Sequence, residues 1–270
     1  MRSQRPLSII SGLALGGLFV FERRKRQTFE RFAAAALESL LKAIDANDAQ
    51  TGAHVRRVAG YALILADAVG VDDKNRRTIE LAGLFHDIGK IHGALFDIIH
   101  EPGKLTPAER RAIHTHPVRG AEVLAPIANF HPWLADAVLS HHERWDGKGY
   151  PRGLRSKQIP LAARIIALAD TFDVITHGRR YRDGRTARAA ANIILQGRGT
   201  QFDPELVDLM LLPPVFAQLT RALRNSAQLG KELPNRRDNR GNEKAPKIRM
   251  RWRTKTPSPQ PVPEHLAEAP

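Results

Sequence analysis

From Phe29 to Leu195 the apolar residues return every three or four positions, and no stretch alternates apolar with polar. A chain with that periodicity buries its hydrophobic side chains by packing helices, not by stacking sheets. Phe32, Ala36, Leu37, Leu40, Leu41 and Ile44 set the pattern in a leading amphipathic helix over residues 29–46. The same spacing predicts helices over 55–69, 77–86, 107–114, 120–124, 133–141, 161–175 and 186–195. Gly70, Pro102-Gly103, Pro117, Pro126, the run Gly147 to Pro151, and Pro160 punctuate them. The expected fold class is all-α, and no internal repeat is present.

The two ends differ from the middle. The net charge is +14, yet between residues 32 and 229 basic residues barely outnumber acidic ones, so the excess sits at the termini. Residues 7–21 form an uncharged run followed by Glu22-Arg23-Arg24-Lys25-Arg26. That run is shorter than the roughly 20 residues of a spanning helix and lacks a signal-cleavage pattern. We read residues 1–27 as a short apolar anchor, with the basic flank keeping the main domain in the cytoplasm, attached to the inner membrane. Residues 230–270 are rich in proline and basic side chains and carry too little apolar surface to fold alone. They are expected to be a disordered tail with an affinity for anionic membrane surfaces; a nucleic-acid role rests on charge in that tail only. The folded domain is expected over 28–229.

The chemistry lies where polar residues interrupt apolar segments. His86-Asp87 closes an apolar helix just before Gly89, Asp170 lies within the apolar run 165–174, and His141-His142 leads into Glu-Arg-Trp-Asp-Gly-Lys-Gly-Tyr-Pro. A buried carboxylate costs several kcal/mol unless a cation or donor compensates it. Any one of these placements equally suits a His–Asp pair hydrogen-bonded within a core. Their repetition in one domain shifts the reading to a multinuclear metal site. With no cysteine in the chain, imidazole and carboxylate are the available ligands.

The order of motifs carries a family resemblance. Thr51-Gly52-Ala53-His54, His86-Asp87-Ile88-Gly89-Lys90, Pro102-Gly103-Lys104-Leu105-Thr106, His116-Pro117, His141 through Pro151, and Ile159 through Arg164 follow one another. Ala169-Asp170-Thr171-Phe172-Asp173, Arg179-Arg180-Tyr181-Arg182 and Gly199 through Pro204 continue the series. Over about residues 28–212 the chain resembles the HD-GYP family of the HD phosphohydrolases. The resemblance implies an HD-domain helical bundle with added HD-GYP helices, and hydrolysis of cyclic di-GMP to linear pGpG, with further cleavage to GMP left open. It also implies contact of the Gly-Tyr-Pro loop with diguanylate cyclases.

Carried over by motif position, it further implies two divalent metal ions, iron first and manganese second. One would be held by His54, His86, Asp87 and Asp170, the other by His116, His141 and His142, with Asp87 bridging. His86, Asp87 and Lys90 would do the catalytic work. Lys90, Tyr150, Asp173, Arg179 and Arg182 would meet substrate, Asp173 either directly or from behind a ligand.

Three departures qualify this. Gln50 stands where members with a third metal carry an acidic ligand, so two metals are expected. Residues 91–101 replace the common Gly-Ile-Pro-Asp stretch and run one residue longer, and Val174-Ile175-Thr176 with Arg180 are milder changes. His92, His100, His114, His131, His177 and His265 match no ligand position and are expected to be surface or packing residues. Two other readings stand beside the main one: an HD phosphohydrolase acting on another nucleotide, and a catalytically weak cyclic di-GMP sensor or adaptor.

Overall fold

In a computed structural model the described residues are 28, 31–46, 48–91, 95, 98, 105–128, 130–177 and 184–225. Arg179, Arg182, the apolar N-terminal run, the basic tail, His92, His100 and His265 lie outside them. Contacts divide the chain into a leading unit ending at Ala43 and a main unit beginning at Ile44. In the leading unit the described residues from 31 onward are helical, with Ala33 and Leu37 buried.

The main unit is built from helices, with no strand among the described residues. In chain order they are α1 (Ala49–Val69), α2 (Asp73–Phe85), α3 (Pro107–Ile113), α4 (His116–Leu124) and α5 (Leu134–Leu139). α6 (Leu161–His177), α7 (Ala187–Gln196), α8 (Pro204–Leu211) and α9 (Pro213–Arg224) follow.

Local chemistry sets the helix ends. α1 starts six residues before the apolar periodicity does, because the Asp48 carboxylate accepts the Gln50 N–H and caps it. It stops at Gly70, whose left-handed backbone (φ 78°) lets its N–H reach the Ala66 and Asp67 carbonyls. Asp72, Thr106, Thr186 and Asp203 cap α2, α3, α7 and α8 in the same manner. α8 and α9 fall on a segment the apolar spacing does not mark as helical, and they meet at Leu212 with a bend of 76°.

α1, α2 and α6 pack on one another around Val58, Tyr61, Ala62, Leu65, Ile79, Ala82, Ile165, Ile166, Ala169 and Phe172. The Tyr61 and Phe172 rings meet edge to face, 5.1 Å apart. α5 lies against α2 and α6, and α4 lies against α5 and the turn after α2. Four pieces of chain therefore converge where α2 ends: the start of α1, the middle of α6, the start of α4 and the end of α5. None of the described helices is by itself long and apolar enough to cross a membrane.

Candidate metal centre

α2 delivers the first pair. Its last residue is Phe85, His86 caps it, and the chain tightens into a single 3-10 turn over Ile88–Ile91. Leaving the helix here separates two consecutive side chains, so that His86 faces α1 while Asp87 faces α4. Gly89 makes the turn possible: a Cβ there would lie 2.1 Å from the His116 carbonyl oxygen. Backbone therefore touches backbone, and Asp87 comes to His116 without intervening side chains.

Two triads of donors result. The donor atoms of His54, His86 and Asp170 all lie within 4.8 Å of one another, and so do those of His116, His141 and His142. Asp87 stands between the triads. Its Oδ1 is 3.4 Å from His116 Nε2 and 4.0 Å from His141 Nε2. Its Oδ2 is 3.5 Å from His86 Nε2 and 3.9 Å from His54 Nε2. The Lys90 ammonium donates to the same Oδ2 at 2.7 Å.

The imidazoles are aimed from behind. Nδ1 of His86, His116 and His141 donates to the carbonyls of Gly83, Ile113 and Val138, each three residues earlier. His54 Nδ1 donates instead to Asp173 Oδ2 at 2.7 Å. With the proton on Nδ1, the Nε2 atoms of His86, His116 and His141 present lone pairs to the centre, while His54 Nε2 faces Asp170 Oδ1 at 3.3 Å.

Two acceptors at the centre lack partners and two more have only each other. His86 Nε2 and Asp87 Oδ1 are buried with no hydrogen bond. His116 Nε2 and His141 Nε2 face each other at 3.2 Å. Two acceptors at that distance repel unless something electropositive joins them. Neutral imidazole and carboxylate oxygens are the donor set that divalent iron, manganese or zinc takes, so the residues present fit metal ions.

The electrostatics agree with that fit. Burial holds His141 neutral to well below the usual imidazole range and pushes His142 down to about 3, with neighbouring imidazoles adding to the effect. Burial opposes ionisation of Asp87, but Lys90, His86 and His116 overcome it and keep its carboxyl well below the ordinary range. Asp170 is half-buried; burial again opposes its ionisation, but His54 and His86 hold it at about 2. His54 runs the other way. Burial resists its charging, yet the hydrogen bonds its ring donates to the carboxylates of Asp170 and Asp173, together with their charge, raise it to about 9.

Asp173 sits one turn beyond Asp170 on α6, and all its acceptor positions are in use. Arg57 forks onto it at 2.7 and 2.9 Å, His54 Nδ1 binds Oδ2, and His177 Nδ1 lies 3.0 Å from Oδ1. That occupancy favours the position behind a ligand over direct substrate contact. Of the histidines expected to be bland, His177 thus joins this network and His114 stacks on Tyr150 at 4.0 Å. Tyr150 also stacks on His142 at 4.9 Å.

The loop after α5 is pinned by Glu143. Its buried carboxylate accepts the backbone N–H groups of Arg152 and Leu154, and Arg152 in turn pairs with Asp136 at 2.6 Å. Gly149 lets this loop lie on the chain that carries His142: a Cβ there would be 2.4 Å from Arg144 N. Arg57, Glu143 and Arg152 were not among the sequence candidates. Arg57 was within reach of spacing, since it lies three residues after His54 just as Asp173 lies three after Asp170.

A family model described as HD domain matches residues 38–206. The chain belongs to the HD domain family. Within that family its motif order is that of the HD-GYP branch, and curated relatives bear this out. One, from Xanthomonas campestris pv. campestris, is named cyclic di-GMP phosphodiesterase response regulator RpfG; it is 39% identical over 210 residues, covering 77% of this chain and 53% of the relative. A probable cyclic di-GMP phosphodiesterase of Vibrio cholerae is 35% identical, covering 70% and 46%. A 3'3'-cGAMP-specific phosphodiesterase 2 of the same organism is 37% identical, covering 64% and 33%. The chain thus spans about half or less of the length of these relatives. A solved HD structure, a cyclic GMP-AMP specific phosphodiesterase of V. cholerae, superposes with a TM-score of 0.53 at 22% identity, covering 74% of this chain and 53% of that one, which shows the shared fold.

Proposed function

We propose that this chain is a metal-dependent cyclic dinucleotide phosphodiesterase that cuts cyclic di-GMP to linear pGpG. The observation that carries the reading is the single carboxylate of Asp87, placed between two triads of inward-facing donors, with one buried oxygen unpartnered. His54, His86 and Asp170 would hold one divalent ion and His116, His141 and His142 the other, with Asp87 shared. Gln50 is exposed at the start of α1 and offers an amide where a third ion would want a carboxylate, which supports two ions. Iron is the first choice and manganese the second. Such a pair supplies an activated water and neutralises charge on the phosphoryl group.

The chain's own residues do the rest. Lys90, part exposed beside Asp87, can turn its ammonium to a phosphate oxygen as charge develops there. Arg57 and Asp173 hold the His54 ring in the orientation that keeps Nε2 inward. Tyr150, half-buried on the Gly-Tyr-Pro loop, forms a wall beside His142. Arg179 and Arg182 would contact substrate from the segment that follows α6, the loop would meet diguanylate cyclases, and the termini would meet an anionic membrane surface.

A second substrate is favoured by a specific finding: at 37%, identity to a relative named for 3'3'-cGAMP lies between the 35% and 39% found for two named for cyclic di-GMP. Both dinucleotides belong in one assay. The full chain, loaded anaerobically with Fe(II) or Mn(II), should release pGpG from cyclic di-GMP, and the His86→Ala/Asp87→Ala variant should not. Preferential cleavage of 3'3'-cGAMP would move the substrate assignment. Tight binding of either dinucleotide to the loaded protein without turnover would make the chain a sensor and overturn the reading.

A further inference from the structure

We propose that His114 is a positioning residue of this centre, clamping the Tyr150 ring against His142 and so fixing the wall on which the substrate rests. The kinetic part of this inference rests on the phosphodiesterase reading; the structural part does not.

α3 is an unusual element. It begins with a reciprocal cap, in which Thr106 Oγ1 accepts the Glu109 N–H and the Glu109 carboxylate accepts the Thr106 N–H, and Pro107 opens its first turn. Yet it contributes no buried side chain, so no apolar core anchors it. What it offers the rest of the domain is its last turn. There His114, whose N–H returns to the Arg110 carbonyl, lays its exposed imidazole on the Tyr150 ring. The centroids are 4.0 Å apart and the planes 14° from parallel.

Tyr150 is the outer member of a path to the metal ligands. Its ring is 24° from parallel with that of His142, whose own ring lies 4.9 Å from that of His116. The Tyr150 N–H returns to the His142 carbonyl at 3.3 Å, so its backbone is tied to the ligand it stacks on. The backbone tie leaves the ring torsions free, however. Two near-parallel imidazoles restrict them, and one of the two is not itself a member of either donor triad. His114 lies two residues from the ligand His116 and reaches the centre only through Tyr150.

A ring held at that place stands beside His142, next to the donor triads. An ordered aromatic face next to bound phosphate favours the sugar and base of a nucleotide over smaller phosphoesters. Losing the clamp should therefore weaken substrate binding and leave the chemical step alone.

The test uses the full chain with ring-labelled tyrosine. Only three tyrosines are present, so Tyr150→Phe assigns the resonance. His114→Ala should shift the Tyr150 ring resonances and raise KM for the dinucleotide roughly threefold to tenfold, the size of a lost aromatic pair. Its kcat and bound manganese should stay as in the parent, and His114→Phe should restore both resonance and KM. Unshifted Tyr150 resonances in His114→Ala, an unchanged KM, or a failure of phenylalanine to restore it would overturn the clamp. A parent that turns over no dinucleotide would refute the phosphodiesterase reading instead, and the resonance shift would still decide whether His114 holds Tyr150.

Discussion

The two halves of the centre differ in how one imidazole, His54, is oriented, since His86 shares the backbone device of His116 and His141. On the α4 and α5 side, His116 and His141 are aimed by carbonyls three residues back on their own chain segments. On the α1 side, His54 is aimed by a carboxylate 119 residues away, which is itself gripped by Arg57. Backbone carbonyls come with the turn and carry no net charge. An ion network is assembled from distant parts of the chain and adds charge of its own. A ring aimed by its own backbone keeps its aim when distant side chains change; one aimed by an ion network can be retuned through them.

The sharpest way to break the contrast is to remove what the halves share. Asp87→Ala should abolish turnover and lower manganese content on both sides at once, as read by metal analysis of the folded protein. Loss of a single equivalent would mean that Asp87 belongs to one half only.

Next in size is Gly89→Ala. The added methyl would drive against the His116 carbonyl, and because that neighbour is backbone the strain cannot be relieved by a rotamer change. Thermal or chemical unfolding should show a loss of about 1–3 kcal/mol, with both halves weakened together.

Asp173→Asn separates the halves. It keeps the shape and removes the charge behind His54, so one class of bound manganese should weaken roughly tenfold to a hundredfold while the other is unchanged. Equal weakening of both classes in a titration would erase the distinction drawn above.

In metal-free protein the halves should also respond oppositely to pH. His54 has its folded pKa raised from 6.5 to about 9, so its contribution is complete below 6.5 and is lost as pH rises through 9. His142 is depressed to about 3; it binds a proton more readily when unfolded, so its neutral burial costs stability as pH falls from 6.5 toward 3. Melting temperatures from about pH 3 to about pH 9 should show His54→Gln flattening the alkaline slope and His142→Gln flattening the acid slope. The smallest effect belongs to Arg57→Lys, which keeps the charge but loses the fork, and should cost a few-fold in manganese affinity on the α1 side only.

Much of this donor cluster could be read from the chain because its side chains sit where the core of a helical protein has no other use for charge. His86-Asp87 at the end of an apolar helix and Asp170 inside one stand out for that reason, and the paired His141-His142 adds a second cluster. Arg57 does not stand out, since Arg56-Arg57 looks like solvated charge until α6 is laid beside α1. Arg56 in fact turns the other way, to Asp45. Glu143 could be seen as a titratable group near the ligands, but its role is to accept two backbone N–H groups, and backbone partners leave no sequence trace. The helices after residue 203 escaped notice for a third reason. Pro213-Pro214 interrupts the apolar spacing, and the chain uses it as a corner, with Leu212 ending one helix and opening the next.

Gly89 has a consequence for which ions the centre can take. The gauge between the two triads is cut by peptide against peptide at Gly89 and His116, before any cation arrives. An ion of different radius must then be met by small rotations of imidazoles and carboxylates inside a frame of constant width. Metal preference in such a frame is a matter of calibre as much as of ligand chemistry.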